Sequence, residues 1–285
     1  MLDGLPTLVP HRIGNWCEEM VLKENQLREF LGKSTRNELI CQRVERRIRG
    51  SRRPVKLSDV MEYDQNIMLK NLHTEGFLSI DVPDNYPDSV TNQDTFNLTT
   101  SLVEGVPVAR NCFRFLLKDE YRTGNPEEDK KLRYGQKFYL VLNREFVQGE
   151  MYLSSTLKTL SSFSKYGKQQ PAYVSFHKSN AALWKIDCID PNIRFEMEGQ
   201  LIEPGSPVLI THCVTGQHLS SDPRHIVRND FSVEWEAACH SYKNLDAACR
   251  NRQELVQNHW VIFVGQDSAQ SSDAGAVAES ASAAV

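Results

Sequence analysis

Hydrophobic and polar positions change rhythm near residue 57. Before it the pattern is helical. Val21, Leu27, Phe30 and Leu31 recur on one side of a segment predicted as a short helix over 18–31. Gly32 is expected to break it, and Ser34 or Thr35 to cap a second helix with Ile40, Val44 and Ile48 at i, i+4 and i+8. Gly50 supplies a stop and Pro54 prevents continuation. Residues 1–10 read as an irregular arm.

From about residue 57, short alternating or apolar runs are separated by Gly, Asn, Asp and Pro, which is the pattern of an all-β chain. Residues 266–285 are Ala/Ser-rich, with no large apolar residue except Val, and are predicted to form a disordered tail. The expected domains are therefore an arm with a helical extension at 1–56, a β-domain at 57–265 and a tail at 266–285.

The β region repeats. Asp64, Gly135 and Gly205 stand 71 and 70 residues apart, each followed by an apolar strand, a polar turn and a Leu-Ser pair: Leu78-Ser79, Leu153-Ser154 and Leu219-Ser220. A parallel series, Phe113, Trp184 and Trp260, is spaced by 71 and 76. Hairpin units of this size cannot bury their apolar faces alone, so three of them are expected to close around a pseudo-threefold axis. The predicted fold class is mainly β: a β-trefoil-like domain of units of about 70 residues, with long insertions at 82–107 and 156–171. A generic sandwich explains the strands but not the period.

The chain has 285 residues, 40% hydrophobic and 25% charged, a composition that excludes a wholly disordered chain. No run of 18 apolar residues occurs, so no membrane partner is expected, and the N-terminus carries no signal-peptide pattern. Seven scattered cysteines, never spaced C-x-x-C, read as reduced thiols.

The net charge of −4 hides an asymmetry. Residues 1–56 carry 12 basic and 7 acidic side chains, while the remainder is acidic. Arg43, Arg46, Arg47, Arg49, Arg52, Arg53 and Lys56 fall within 14 residues, opposed only by Glu45. One reading is a solvated helix face; the other is a docking element whose guanidinium groups take carboxylates two at a time. A pI of about 6.1 and the lack of interleaved aromatics argue against nucleic acid. Arg12 and Trp16 form a second candidate, an arm ending in an aromatic anchor. The expected partner-binding residues are thus Arg12, Trp16, Arg43, Arg46, Arg47, Arg49, Arg52 and Arg53.

Catalytic and metal signals are weak. His212, Cys213, His218 and His225 fit no zinc spacing, and Gly32-Lys33-Ser34-Thr35 lacks the upstream glycine and strand of a phosphate loop. There is no G-x-S-x-G, H-E-x-x-H or G-x-G-x-x-G. No enzymatic activity, cofactor or metal is expected.

Arg12-Ile-Gly-Asn-Trp16, the paired helices, Arg133-Tyr-Gly-Gln136, Leu153-Ser-Ser155, the strand from Gly205 to His212 and Asn258-His-Trp260 together resemble the cilia- and flagella-associated protein 161 family, over roughly residues 10–265. The segment Val208–Ser220 is also similar to MIR-type trefoil units, with Asp64 departing from their initial glycine. The resemblance implies a structural microtubule inner protein in the A-tubule lumen of the axonemal doublet. It would contact α/β-tubulin and neighbouring inner proteins, and so reside in the cytoskeleton of the cilium. It brings no list of binding residues; those above rest on charge and exposure. The competing reading is a soluble trefoil module for a carbohydrate or other small polar ligand.

Overall fold

The computed structural model describes residues 15–84, 86, 90–91, 94–102, 105–122, 124–244 and 252–265. The expected arm at 1–10 and tail at 266–285 lie outside them. The described residues up to Arg47 form one compact unit, and those from Ile48 onward form another.

The first unit contains α1 (Asn15–Thr35) and most of α2 (Ile40–Ser51). Gly32 does not break α1, which runs three residues further. The stop is Asn37, in the left-handed region at φ 58°. The Glu38 N–H donates to the Lys33 carbonyl (2.8 Å) and the Asn37 N–H to the Ser34 carbonyl (3.2 Å), the paired bonds of a Schellman cap. Ser34 and Thr35, expected to cap the second helix, instead lie in the last turn of the first, where the Thr35 hydroxyl donates to the Leu31 carbonyl (2.8 Å). The Gln42 side-chain oxygen accepts from the Leu39 N–H at the start of α2, at 3.3 Å.

The second unit is mainly β. Its strands are β1 (Asn66–Asn71), β2 (Phe77–Ile80), β3 (Thr95–Ser101), β4 (Phe113–Leu117), β5 (Lys137–Leu142), β6 (Tyr152–Ser155), β7 (Ala172–Ser175), β8 (Leu183–Cys188), β9 (Pro207–His212), β10 (Leu219–Arg228), β11 (Val233–Cys239) and β12 (His259–Phe263). Every strand pairing is antiparallel, and the sheet closes on itself. A nine-strand ring runs β3-β2-β1-β12-β9-β8-β5-β6-β7 and back to β3. Inside that path, β4 joins β1 to β5, so β1, β4, β5, β8, β9 and β12 also form a closed ring.

The sequence period reappears as strand register. Asp64, Gly135 and Gly205 all adopt positive φ, at 60°, 77° and 77°. Asp64 therefore makes the same turn as the two glycines, in a region that aspartate tolerates better than most side chains. Phe113 pairs with Ile67, Trp184 with Phe138 and Trp260 with Val208, each the third residue after its turn. On the other side, Phe113 pairs with Leu142, Trp184 with His212 and Trp260 with Asn71, each the seventh residue after the next turn. All three aromatics are fully buried. The Trp184 indole donates to the Leu153 carbonyl (2.8 Å) and the Trp260 indole to the Leu219 carbonyl (3.0 Å), the leucines of two Leu-Ser pairs. Phe113 has no such donor.

One further contact recurs three times and ties each unit to its neighbour. The Asn71 side-chain amide donates to the Gln257 carbonyl (2.9 Å), just before β12. The Asn143 amide donates to the Ala109 carbonyl before β4, and His212 Nε2 to the Ala181 carbonyl (2.9 Å) before β8. Asn143 sits one residue beyond the partner of Phe113, and Ala109 lies one residue further from that aromatic, so the bond survives the shift. All three donors are buried, and losing one strands a polar backbone group.

The segment 82–107, expected as an insertion, contains β3. Its Thr-rich sequence hides a strand whose hydroxyls bond inward: Thr99 Oγ1 to Glu234 (2.7 Å) and Thr100 Oγ1 with Ser221 Oγ (2.7 Å). The segment 156–171 contains no strand, and its last turn is held by Glu236. That carboxylate accepts from the Tyr166 N–H (3.0 Å), the Gly167 N–H (2.6 Å) and the Ser164 hydroxyl (3.0 Å).

Burial lowers the His212 pKa from its ordinary value of 6.5 against the opposing bond to Ala181. The native ring resists a proton that the unfolded chain accepts. Its contribution is complete above about pH 6.5 and declines as pH falls below it. His212→Asn, the residue that serves the two equivalent contacts, is expected to cost about 1 kcal/mol near neutral pH for lost packing on Trp184 and to flatten the acid decline. His212→Ala is expected to cost more, because the Ala181 carbonyl loses its donor. Urea unfolding of both variants between pH 5 and 8 reads this out; an acid decline unchanged in His212→Asn would assign it elsewhere.

Candidate functional site

The N-terminal helices carry most of the residues singled out on charge. Arg12 lies outside the described residues. Trp16 is the second residue of α1. The arginines divide by environment. Arg43, Arg49 and Arg53 are exposed, Arg46 and Arg52 are half-buried, and Arg47 is buried at 7% exposure. Arg46 donates to the Asn37 carbonyl (2.6 Å), bracing the turn between the helices. Arg53 Nε donates to the Gly50 carbonyl (3.1 Å). The Arg52 guanidinium lies 5.6 Å from the centre of the Phe231 ring, and Arg110 lies 4.1 Å from the same ring. The structure thus presents Arg43, Arg49 and Arg53 to solvent and engages the other three arginines at least in part in folding.

Arg110 was not legible as special from the sequence. Its guanidinium pairs with Glu234, and both side chains are completely buried. Glu234 also accepts from Thr99 Oγ1 and Asn229 Nδ2, each at 2.7 Å. Nearby, burial raises the pKa of Asp81, opposed by its bond to Asn229 and reinforced by the Glu234 charge. Removing one member of such a pair leaves a buried charge uncompensated. The arrangement is internal scaffolding.

The histidine cluster is likewise bound up in the fold. His212 Nδ1 meets Thr215 Oγ1 (2.8 Å), and His218 lies between Thr211 (2.9 Å) and Glu254 (3.2 Å). Glu254 also takes Arg194 (2.8 Å). Burial opposes its ionisation, but the bonds from His218 and Arg194 win and hold its pKa down to about 2. Among the described residues, no group of three or more His, Cys, Asp or Glu could hold a metal ion.

The strongest surface feature is α1 itself. Met20, Val21, Leu22, Leu27, Phe30 and Leu31 are each more than half exposed. Met20, Leu27 and Leu31 fall on one line at i, i+7 and i+11, within about 40° of arc. Val21, Leu22 and Phe30 point elsewhere around the helix; the expected single side for Val21, Leu27, Phe30 and Leu31 does not hold, since Val21 and Phe30 lie about 180° apart. The polar positions carry their own i,i+4 pairs, Glu24–Arg28 (2.7 Å) and Glu29–Lys33 (2.6 Å). A helix with large apolar residues on several sides is normally covered. Sequence reading placed these residues on a helix but did not reveal their exposure. No helix among the described residues is long and apolar enough to cross a membrane.

Fold and surface together define a closed β-body and, preceding it in the chain, two helices rich in exposed apolar and basic groups. Comparison with known proteins gives the family. Residues 61–265 match the model of the Cilia- and flagella-associated protein 161-like domain, and the chain belongs to that family. It is 31% identical to cilia- and flagella-associated protein 161 of Bos taurus, covering 89% of this chain and 81% of that protein. It is 29% identical to the Danio rerio protein, covering 91% and 88%. Among solved structures, it is similar to an SDF2-like protein of Arabidopsis thaliana at a TM-score of 0.48 and 16% identity, covering 71% of this chain and 94% of that one.

Gly32 lies inside α1 with nothing within 4 Å of where a Cβ would stand. Gly32→Ala is expected to stabilise α1 by roughly 0.5–1 kcal/mol. Amide hydrogen exchange across residues 20–35 checks this: slower exchange is expected, and unchanged or faster exchange would contradict the account of the helix stop.

Proposed function

We propose that this chain is a non-enzymatic structural component of the ciliary axoneme. It binds α/β-tubulin as a microtubule inner protein in the A-tubule lumen, beside neighbouring inner proteins, and stabilises the doublet. Family membership supports the ciliary setting, since the relatives are named for cilia and flagella. The observation that carries the reading is α1, with six large apolar side chains exposed. A helix of this kind is suited to burial among partners. The exposed Arg43, Arg49 and Arg53 add charge complementary to an acidic surface such as tubulin's.

The β-body is, in this reading, a β-trefoil: six strands in the barrel and three hairpins, β2–β3, β6–β7 and β10–β11, related by the threefold register. It acts as a rigid body that holds its place among partners while the helices dock. The competing carbohydrate reading needs aromatic platforms open to a sugar ring. The three repeated aromatics are fully buried, so they cannot serve.

The test is stepwise extraction of demembranated axonemes from cells carrying the chain or its variants. Screening shrinks to about 3 Å near 1 M salt. The unchanged chain is expected to stay until the doublets themselves dissolve. A Met20→Ser, Leu27→Ser, Leu31→Ser variant is expected to be absent from axonemes, and Arg43→Gln, Arg49→Gln, Arg53→Gln to leave at lower salt. Release of the unchanged chain at modest salt, or retention of both variants like the unchanged chain, would defeat the proposal.

A further inference from the structure

Within the second unit, a concave site of about 580 Å³ opens between the segment 157–170 and the end of β11. Its polar lining includes Lys158, Lys168, Gln169, Gln217 and His240. Among the described residues, none of the lining side chains is a carboxylate, although acidic residues outnumber basic ones in this chain. Another basic concavity, about 460 Å³ beside Arg53 and Arg144, is different. Glu145 lines it, and Arg144 is paired with Glu150 at 3.6 Å.

The walls of the carboxylate-free site are fixed before any ligand arrives. Glu236 lies buried beneath the turn 164–167, and its charge is taken up by the three donors already described. Gln170 is locked to Ser155 Oγ (2.7 Å) and Thr215 Oγ1 (2.8 Å). The Gln217 side-chain oxygen accepts from the Ser241 N–H at 2.9 Å, which leaves its NH2 group to donate elsewhere. Lys158 is exposed and makes no ion pair among the described residues. Burial, and after it the positive charge of Lys158, lowers the His240 pKa. Near neutral pH the ring is therefore uncharged, and the positive charge of the lining comes from the two lysines.

Lys168 adds a second kind of evidence. Its backbone is left-handed, at φ 52°, where glycine or asparagine would be at less cost. Its ammonium group donates to the Lys165 carbonyl at 2.9 Å and lies 4.5 Å from the centre of the Phe163 ring. An ammonium has three donors, so two remain. Lys168 thus keeps a positive charge at the rim of the cavity at a backbone cost that glycine would not carry.

We propose that this cavity binds a small anionic solute through an oxyanion group, a phosphate or a carboxylate, held by Lys158 and Lys168 with the amide donor of Gln217. The volume falls in the range of small-molecule sites rather than of a protein interface. The proposal stands apart from the axonemal role and needs none of the N-terminal helices.

Calorimetric titration of the full chain at low ionic strength with inorganic pyrophosphate, and separately with citrate, tests it. At least one is expected to bind with one-to-one stoichiometry, and the tighter of the two identifies phosphate or carboxylate as the recognised group. Lys158→Gln is expected to weaken that binding about tenfold. Lys168→Gly is expected to weaken it similarly while leaving the melting temperature unchanged or higher, because glycine relieves the backbone strain; a purely structural lysine would not separate the two readouts. Arg144→Gln, at the other concavity, is expected to change nothing. Absence of binding by both probes at about 1 mM, or equal affinity in the Lys158 and Lys168 variants, would overturn the proposal.

Discussion

The β-body depends on a bond between its two ends. The Asn71 side chain, at the close of the first strand, reaches the Gln257 carbonyl 186 positions later, just before the last strand. Two equivalent contacts, from Asn143 and His212, do the same between successive units. Backbone pairing between strands does not by itself choose a register. A buried side chain that must find one carbonyl fixes register at each seam, since an unmade bond there strands both partners away from water. Each seam also buries a large aromatic, so apolar packing and polar satisfaction demand the same alignment. No unit can satisfy its groups alone, and closure is therefore all-or-none in structural terms.

This arrangement separates the tasks of the chain. The core residues of the β-body are drawn from its strands and the segments between them. The first helix is instead held by its own cap and its own ion pairs, and leaves its leucines, methionine and phenylalanine in solvent. In the proposed role the body supplies rigidity and the helices supply attachment. Charge follows the same division, with basic residues at the N-terminal end and an acidic excess beyond it.

Much of the β-body was legible in the sequence because closure imposes the same register three times, and a repeated register leaves a repeated spacing. Asp64 was the weak point of that reading, yet its backbone does what the two glycines do. Where polar side chains are buried in pairs, the sequence says less. Strand β3 looks like a polar loop because Thr99 and Thr100 find partners 135 and 121 positions away, and Arg110 looks ordinary until Glu234, 124 positions on, faces it. The helix boundary failed for a smaller reason. Glycine inside a helix costs only about 1 kcal/mol, less than continuing the helix returns, and a left-handed asparagine five residues later made a better cap. The environment of the proposed docking residues was only partly legible. A dense run of arginines can be read off directly, but which of them face water is decided by the turn, by Phe231 and by burial. The exposure of the first helix cannot be seen in periodicity, because an apolar stripe looks the same whether it faces a core or a partner.

The central claim is that the helices attach this protein to the inner wall of the doublet while the β-body stays intact. Cryo-electron microscopy of doublets from cilia whose only copy of this chain carries a compact tag tests it most directly. The account predicts density for the closed β-body in the A-tubule lumen, with the first helix covered by tubulin or by an adjoining inner protein along Met20, Leu27 and Leu31. Density on the outer surface of the doublet, or a luminal body whose first helix stands free in solvent, would contradict it.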